Sequence, residues 1–279
     1  MEGWVIELQA QCAEVQKYYD ENSQMEWERL ERHPFELPLT LYMMEKYIRP
    51  GDRVLDIGGG PGRYSIHFAK MGCDVTLVDL SPGNIRFAQQ KAAEAGVKFA
   101  AYAANCLELD KLNLGEFDHV LLMGPLYHLK EDDDRKKAVE QALLQLKTGG
   151  NLYASFILNF AGAIYDLKNG GYVEQDFADG TPTAALIDDI LQGRDYIGPS
   201  FSSTRFSHQN NILPFMAQFP LTKLHLFGQE GILAINEPEL MKRSEGEIRC
   251  WIEIAKRLLQ VPELLAMSEH AMYIGQKNG

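Results

Sequence analysis

Cysteine is scarce in this chain and what there is lies scattered: Cys12, Cys73, Cys106 and Cys250 show no C-x-x-C spacing. That excludes the usual zinc and dithiol frameworks and a disulfide scaffold, so no metal is expected and the thiols read as those of a reducing compartment. Long apolar runs are missing too. No segment approaches the roughly 18–20 apolar residues that cross a bilayer, and the start MEGWVIELQAQ has neither the basic nor the apolar stretch of a signal peptide. The expected location is therefore cytoplasmic, with no membrane partner. Positive charge is in deficit, with 27 Lys and Arg against 39 Asp and Glu, a formal charge of −12. Such a chain repels phosphate backbones, which argues against a nucleic-acid partner.

What is present suffices for a large core: 279 residues, 46% of them hydrophobic, without repeats or low-complexity tracts. Apolar residues at three-to-four spacing (Val5, Leu8, Cys12, Val15, Tyr18, Tyr19, then Met25, Trp27, Leu30) predict helices before His33-Pro34, and Leu37 to Ile48 predicts another before the stop at Arg49-Pro50-Gly51. Residues 1–50 are thus expected to form an N-terminal helical extension. From Arg53 the pattern changes to short apolar runs, at 53–57, 74–79, 98–102, 119–123 and 151–158, with helical stretches at 62–71, 82–95 and 132–146 between them. Strands alternating with helices predict an α/β fold, a doubly wound parallel sheet. The rhythm then fails for about 60 residues, an insertion at about 159–220 that reads as a lid. It resumes with a strand at 221–227, a helix at 238–259 and a strand at 270–276, so 51–279 is expected to be one domain.

The most informative segment is Val54-Leu-Asp-Ile-Gly-Gly-Gly-Pro-Gly-Arg-Tyr64, an apolar strand entering a glycine-rich turn and then a helix. Glycine allows positive φ and close approach of backbone to a ligand, and the following helix start offers free N–H groups. Asp79, 21 residues beyond Gly58, ends the second strand, where a carboxylate can accept both hydroxyls of a ribose. Nicotinamide enzymes share this much. Their third small residue would fall at position 63, however, and that is Arg63. Asp56, inside the strand, would oppose a pyrophosphate but favour an ammonium or sulfonium.

With Val75-Thr-Leu-Val-Asp-Leu-Ser81, Ala104-Asn-Cys106, Phe117-Asp-His-Val-Leu-Leu-Met-Gly-Pro-Leu-Tyr-His128 and Leu146-Lys-Thr-Gly-Gly150, the chain resembles the class I S-adenosylmethionine-dependent methyltransferases, in particular their type 11/25-like small-molecule branch. The resemblance covers residues 50–158 well and 221–276 loosely. It implies a Rossmann-like seven-stranded sheet with an antiparallel last strand, and S-adenosyl-L-methionine as cofactor. It also implies that Gly58, Gly60 and Gly62 pack against the methionine portion, with Gly59 among the cofactor-binding residues and Asp56 near the ammonium. Asp79 would take the ribose, Leu80 would lie against the adenine, and Asn105 with Cys106 would lie at the adenine edge. Met123 and Gly124 would line the mouth of the site.

Other candidates carry two readings each. Tyr127 and His128 follow the fourth strand at the carboxyl edge of the sheet; His128 is either a general base or a brace for the loop. Tyr19, in Lys17-Tyr-Tyr-Asp20, either faces the cofactor together with the stretch Glu26-Trp-Glu-Arg-Leu30 or packs within its helix. Arg205 and His208, with Tyr165, Tyr172, Phe201 and Phe206, suit a small acceptor's pocket or merely a lid's own core. Asp118 reads as a turn residue, and Glu131-Asp-Asp-Asp134 as a solvated helix start. The expected activity is SN2 methyl transfer to a small molecule. A methyltransferase acting on protein or tRNA stands as the alternative, and a nicotinamide-dependent oxidoreductase behind it. The oligomeric state is left open.

Overall fold

The structure is a computed structural model that describes residues 2–170, 178, 180–199 and 203–279. Seven strands form one sheet in the order β3-β2-β1-β4-β5-β9-β8: β1 (Arg53–Ile57), β2 (Asp74–Asp79), β3 (Ala100–Ala103), β4 (Phe117–Leu122), β5 (Leu146–Ile157), β8 (Leu221–Gly228) and β9 (His270–Lys277). The first five strands pair in parallel, whereas β9 inserts antiparallel between β5 and β8. Parallel neighbours need long crossovers, which here are α3 (Arg63–Met71), α4 (Pro82–Glu94) and α6 (Asp132–Leu144).

Side chains alternate cleanly across the sheet. Leu55, Ile57, Val120, Leu122, Leu152 and Ala154 join α6 and α9 (Gln209–Met216) on one face. Val54, Leu121, Tyr153, Met272 and Ile274 join Phe68 of α3, α2 (Glu36–Met44) and α11 (Glu245–Leu258) on the other. The period of two in the strands thus feeds two apolar layers, and both faces are covered, as a parallel sheet requires.

Four expectations shift in detail. The N-terminal helices merge into one long α1 (Glu2–Arg32), with a kink at Asn22. The helix expected over 238–259 splits into α10 (Glu237–Leu240) and α11, because Ser244 and Glu247 form a reciprocal capping box that starts a new helix. Strand β5 begins at Leu146 rather than 151, its early residues joined to β4 across a register shift. The stretch read as an irregular lid holds regular pieces among its described residues: α7 (Ala161–Asn169), α8 (Pro182–Leu191), the hairpin β6 (Tyr196–Pro199) with β7 (Ser203–Phe206), and α9. No described helix is long and apolar enough to cross a membrane.

Candidate active site

A cleft of about 1120 Å³, including its open mouth, lies over the carboxyl ends of β1, β2 and β4. Its floor is the glycine loop. Gly58 turns the chain at φ +70°, and a Cβ there would sit 2.6 Å from Pro125 Cδ, so only glycine lets the loop pass beneath the short helix α5 (Pro125–His128). Gly58, Gly59 and Gly60 line the cleft, but Gly62 does not. Gly62 faces α4 at φ +84°, where a Cβ would lie 3.0 Å from that of Ala88, so its work is to let α3 and α4 close together. The expectation that Gly62 packs against a ligand is corrected accordingly.

Asp79 is buried and accepts three hydrogen bonds, from the Gly60 N–H (2.9 Å) at Oδ2 and from the Ser81 N–H (2.9 Å) and Asn84 Nδ2 (3.2 Å) at Oδ1. Burial raises its pKa against the pull of these donors. The carboxylate therefore locks the glycine loop to the start of α4 while Oδ2, with a single partner, keeps room for another donor. Asp56 is more exposed electrostatically: Ser65 Oγ donates to its Oδ2 at 2.7 Å, but Oδ1 is buried without a partner. Burial, with Asp79 nearby and Ser65 opposing, lifts its pKa to about 6. An unmatched buried carboxylate oxygen facing a cleft is what a cation or N–H donor would complete.

Helix α1 roofs the cleft with Gln11, Cys12, Val15, Tyr19, Glu26, Arg29 and Leu30. It is tied down along its length. Gln11 donates to the His128 carbonyl, Asp20 Oδ1 accepts from Ser81 Oγ (2.6 Å) and the Gly83 N–H (2.7 Å), and Arg63 stacks 3.6 Å from the Trp27 ring while donating to the Trp27 carbonyl. Tyr19 Oη lies 2.8 Å from His128 Nε2. Burial alone drops the His128 pKa to about 4, and burial first among several causes raises that of Tyr19, so a neutral tyrosine donates to a neutral imidazole. This is the geometry of a brace. Tyr127 also lines the cleft, its pKa raised by burial.

At the far end Leu80, Asn105 and Cys106 come together with Cys12. Asn105 caps the following 3-10 turn, its Oδ1 accepting the Leu107 N–H at 3.0 Å while Nδ2 points to Cys12 Sγ at 3.6 Å. The side-chain carbonyl of Asn105, a residue expected at the adenine edge, is thus already engaged in capping. Met123 and Gly124 lie at the end of β4 beside Pro125, as expected from their positions, and line the cleft.

A family model described as a methyltransferase domain matches residues 54–150, the segment that carries the loop and both aspartates. The ubiquinone biosynthesis O-methyltransferase of Xanthomonas axonopodis pv. citri is 30% identical over 181 residues, which is 60% of this chain and 74% of that protein. The chain is a class I S-adenosylmethionine-dependent methyltransferase. Its cofactor is S-adenosylmethionine. Two solved structures share the fold at low identity. Magnesium protoporphyrin IX methyltransferase from Synechocystis PCC 6803, with bound S-adenosylhomocysteine, has a TM-score of 0.57 and 13% identity, covering 96% of this chain and 100% of that one. The 1,6-didemethyltoxoflavin-N1-methyltransferase of Burkholderia thailandensis has a TM-score of 0.58 and 18% identity, covering 98% and 90%.

In this methyltransferase a second chamber adjoins the first, and the two share a wall of Tyr19, Glu26, Arg29 and Tyr127. Its far side is built from α7, α8 and the β6–β7 hairpin, with Tyr165, Leu186, Tyr196 and Phe206 lining it, and its floor from Glu36, Glu230 and His270. Tyr172 and Phe201 lie outside the described residues. Arg205 and His208 line neither chamber, which corrects their assignment as substrate residues. Arg205 is spent on Asp195 (2.9 Å), Asp132 (2.9 Å) and the Lys130 carbonyl (2.8 Å), pinning the hairpin to the start of α6; His208 caps α9. Arg205→Ala is therefore expected to cost about 1–3 kcal/mol of stability in a denaturant melt while leaving S-adenosylhomocysteine affinity unchanged within about twofold. Asp118, read from the sequence as a turn residue, lies within β4 and is a tether instead, accepting from the Arg53 N–H (2.9 Å) and Lys147 Nζ (2.6 Å). Of the acidic run, Asp132 joins the Arg205 network and Asp134 is buried rather than solvated.

Among the described residues, two clusters have metal-ligand types, His33-Glu237-Glu269 and Glu36-Glu230-His270. Lys168 reaches Glu237 and Glu269, and Arg29 grips Glu36, so protein cations already answer the carboxylates. The residues that sequence reasoning missed are Glu36, Glu230 and His270. They come from three remote elements, and no local spacing links them.

Proposed function

We propose that this methyltransferase transfers the methyl group by SN2 displacement to a nucleophile on a small molecule, with the cofactor in the cleft over the glycine loop and the acceptor in the second chamber. The observation that carries this reading is that Tyr19, Glu26, Arg29 and Tyr127 line both chambers, so that the two adjoin at one wall. A 30% identical relative named for ubiquinone biosynthesis, whose acceptor is a small molecule, supports it, as does the acidic charge of −12, unsuited to tRNA. We read residues 51–279 as the catalytic domain and the N-terminal helices as its cover.

The residues present fit the cofactor. The unmatched Asp56 Oδ1 suits its ammonium, Asp79 Oδ2 a ribose hydroxyl, and Leu80 with Cys106 the adenine face. When bound, the cofactor supplies a methyl group on a sulfonium, already a good leaving group. The chain is left with alignment, exclusion of water by the α1 roof, and acceptance of the nucleophile's proton. His128, braced by Tyr19, serves to hold that roof rather than as the base.

Calorimetry with S-adenosylhomocysteine tests the assignment. Lowering the pH through about 6 protonates Asp56 and removes its attraction for the ammonium. Affinity is expected to fall by roughly tenfold between pH 7.5 and pH 5, and Asp56→Asn should be weak at both. Pocket assignment fails if the wild-type affinity is flat in this range and Asp56→Asn binds as tightly.

A further inference from the structure

The second chamber has more carboxylates than its cations can answer. Arg29 grips Glu36 through two hydrogen bonds of 2.6 and 3.2 Å, His270 Nδ1 lies 2.6 Å from Glu230 Oε1, and Lys168 behind the wall joins Glu237 and Glu269. Each cation is committed. Two lining carboxylates are left over among the described residues, Asp166 and Glu26. Glu26 has as its nearest ion-pair contact Arg29 Nε at 3.6 Å, the same guanidinium that already holds Glu36, and its side chain is 18% exposed. Burial raises its pKa; Arg29 lowers it and Glu36 raises it further. A largely buried carboxylate that shares its counter-charge is costly unless a cation or a proton donor completes it.

The cofactor leaves this surplus unanswered through the reaction, because its ammonium is matched by Asp56 and its sulfonium loses its charge when the methyl group leaves. Glu26 is also the carboxylate that lines both chambers, at the junction the methyl group must cross. The opposite walls are aromatic, with the Tyr196 and Phe206 rings 5.9 Å apart. Such faces favour a flat body and a cation.

We propose that the second chamber takes an arylalkylamine, an alkyl amine carried on a flat aromatic or heteroaromatic body and held as an ammonium by Glu26, and that this nitrogen is the methyl acceptor. This rests on the small-molecule reading above and deepens it. The ammonium gives one proton to the Glu26 carboxylate. The freed nitrogen lone pair then forms the N–C bond as the C–S bond breaks, its electron pair staying on sulfur. The products are a methylammonium and S-adenosylhomocysteine, and Glu26 returns its proton to solvent. Glu26 is thereby a catalytic residue in addition to a binding one.

Three indoles of similar body and different charge test this: tryptamine, indole-3-ethanol and indole-3-acetate, each titrated calorimetrically into the full chain saturated with S-adenosylhomocysteine. Tryptamine is expected to bind about tenfold or more tighter than the alcohol, with the acid weakest. Glu26→Gln should bring tryptamine down to the alcohol's affinity, and Glu26→Asp should restore part of the preference. Equal or tighter binding of the alcohol or the acid overturns the proposal, and so does absence of tryptamine binding. Should Glu26→Gln not fold, the wild-type ranking alone decides. Failure of S-adenosylhomocysteine itself to bind would instead strike the reading of the cofactor cleft.

Discussion

Replacing Asp79 with alanine is expected to weaken S-adenosylhomocysteine binding by about 100-fold or more, equivalent to about 2.7 kcal/mol. The size follows from two losses at one side chain. The first is direct: a carboxylate–hydroxyl hydrogen bond to a ribose is charge-assisted, each worth about 1.5–3 kcal/mol. The second is structural. The Gly60 and Ser81 N–H groups and Asn84 Nδ2 all donate to Asp79, so alanine leaves the glycine loop and the α4 start without their common acceptor. Asp79→Asn keeps an acceptor oxygen but sets an amide against those donors, and should fall between the two. Calorimetry with denaturant melts separates the contributions: unchanged affinity with reduced stability would make Asp79 a loop brace alone.

The largest effect on stability is expected at Glu230, far from the motifs. Glu230 Oε2 accepts from Ser268 Oγ (2.5 Å) and the N–H groups of Glu269 (3.1 Å) and His270 (3.0 Å), while Oε1 meets His270 Nδ1 at 2.6 Å. Burial opposes the charge on Glu230, but His270 and these donors outweigh it and hold its carboxyl well below the usual carboxylate range; Glu230 likewise outweighs burial to raise His270. Glu230→Gln strips the charge from a buried ion pair and turns an NH2 toward existing donors. It is expected to cost about 3–5 kcal/mol, read from the denaturant midpoint.

The pair also predicts a pH dependence with a definite sign. The depressed carboxylate contributes stability that is present above its unfolded value, about 4.3, and is lost as the pH falls below it. The raised imidazole contributes stability that is complete below its unfolded value, about 6.5, and is lost as the pH rises through its folded value. The wild-type contribution is therefore greatest between about pH 4.5 and 6.5, and Glu230→Gln should flatten that window.

How much of this is legible in the chain depends on how local the determinants are. Val54 to Tyr64, Asp79 and the strand–helix rhythm to residue 158 are contiguous signals: each strand's period of two, each glycine turn and each helix start is decided within about ten residues, and from them the doubly wound sheet and the ligand cradle followed, whereas the antiparallel last strand came only with the resemblance to the methyltransferase family. Gly62 shows the limit even there, since the same motif letter serves helix packing rather than the cleft, and only the 3.0 Å approach to Ala88 distinguishes the two. Arg205 and His208 show it again. Their residue types suit a pocket, but ion pairing to Asp195 and Asp132 and a capping role use them up.

The acceptor chamber is the opposite case. Glu26 and Arg29 come from α1, Tyr127 from α5, Tyr196 and Phe206 from the hairpin, and Glu230 and His270 from either side of α11. No spacing in the chain relates them. The glycine-loop cradle is legible along the chain because strand, loop and helix form a local structure. Which carboxylates share a cation and which are left over emerges only in the folded chain, because charge balance in a buried chamber depends on three-dimensional neighbours, not on order along the chain.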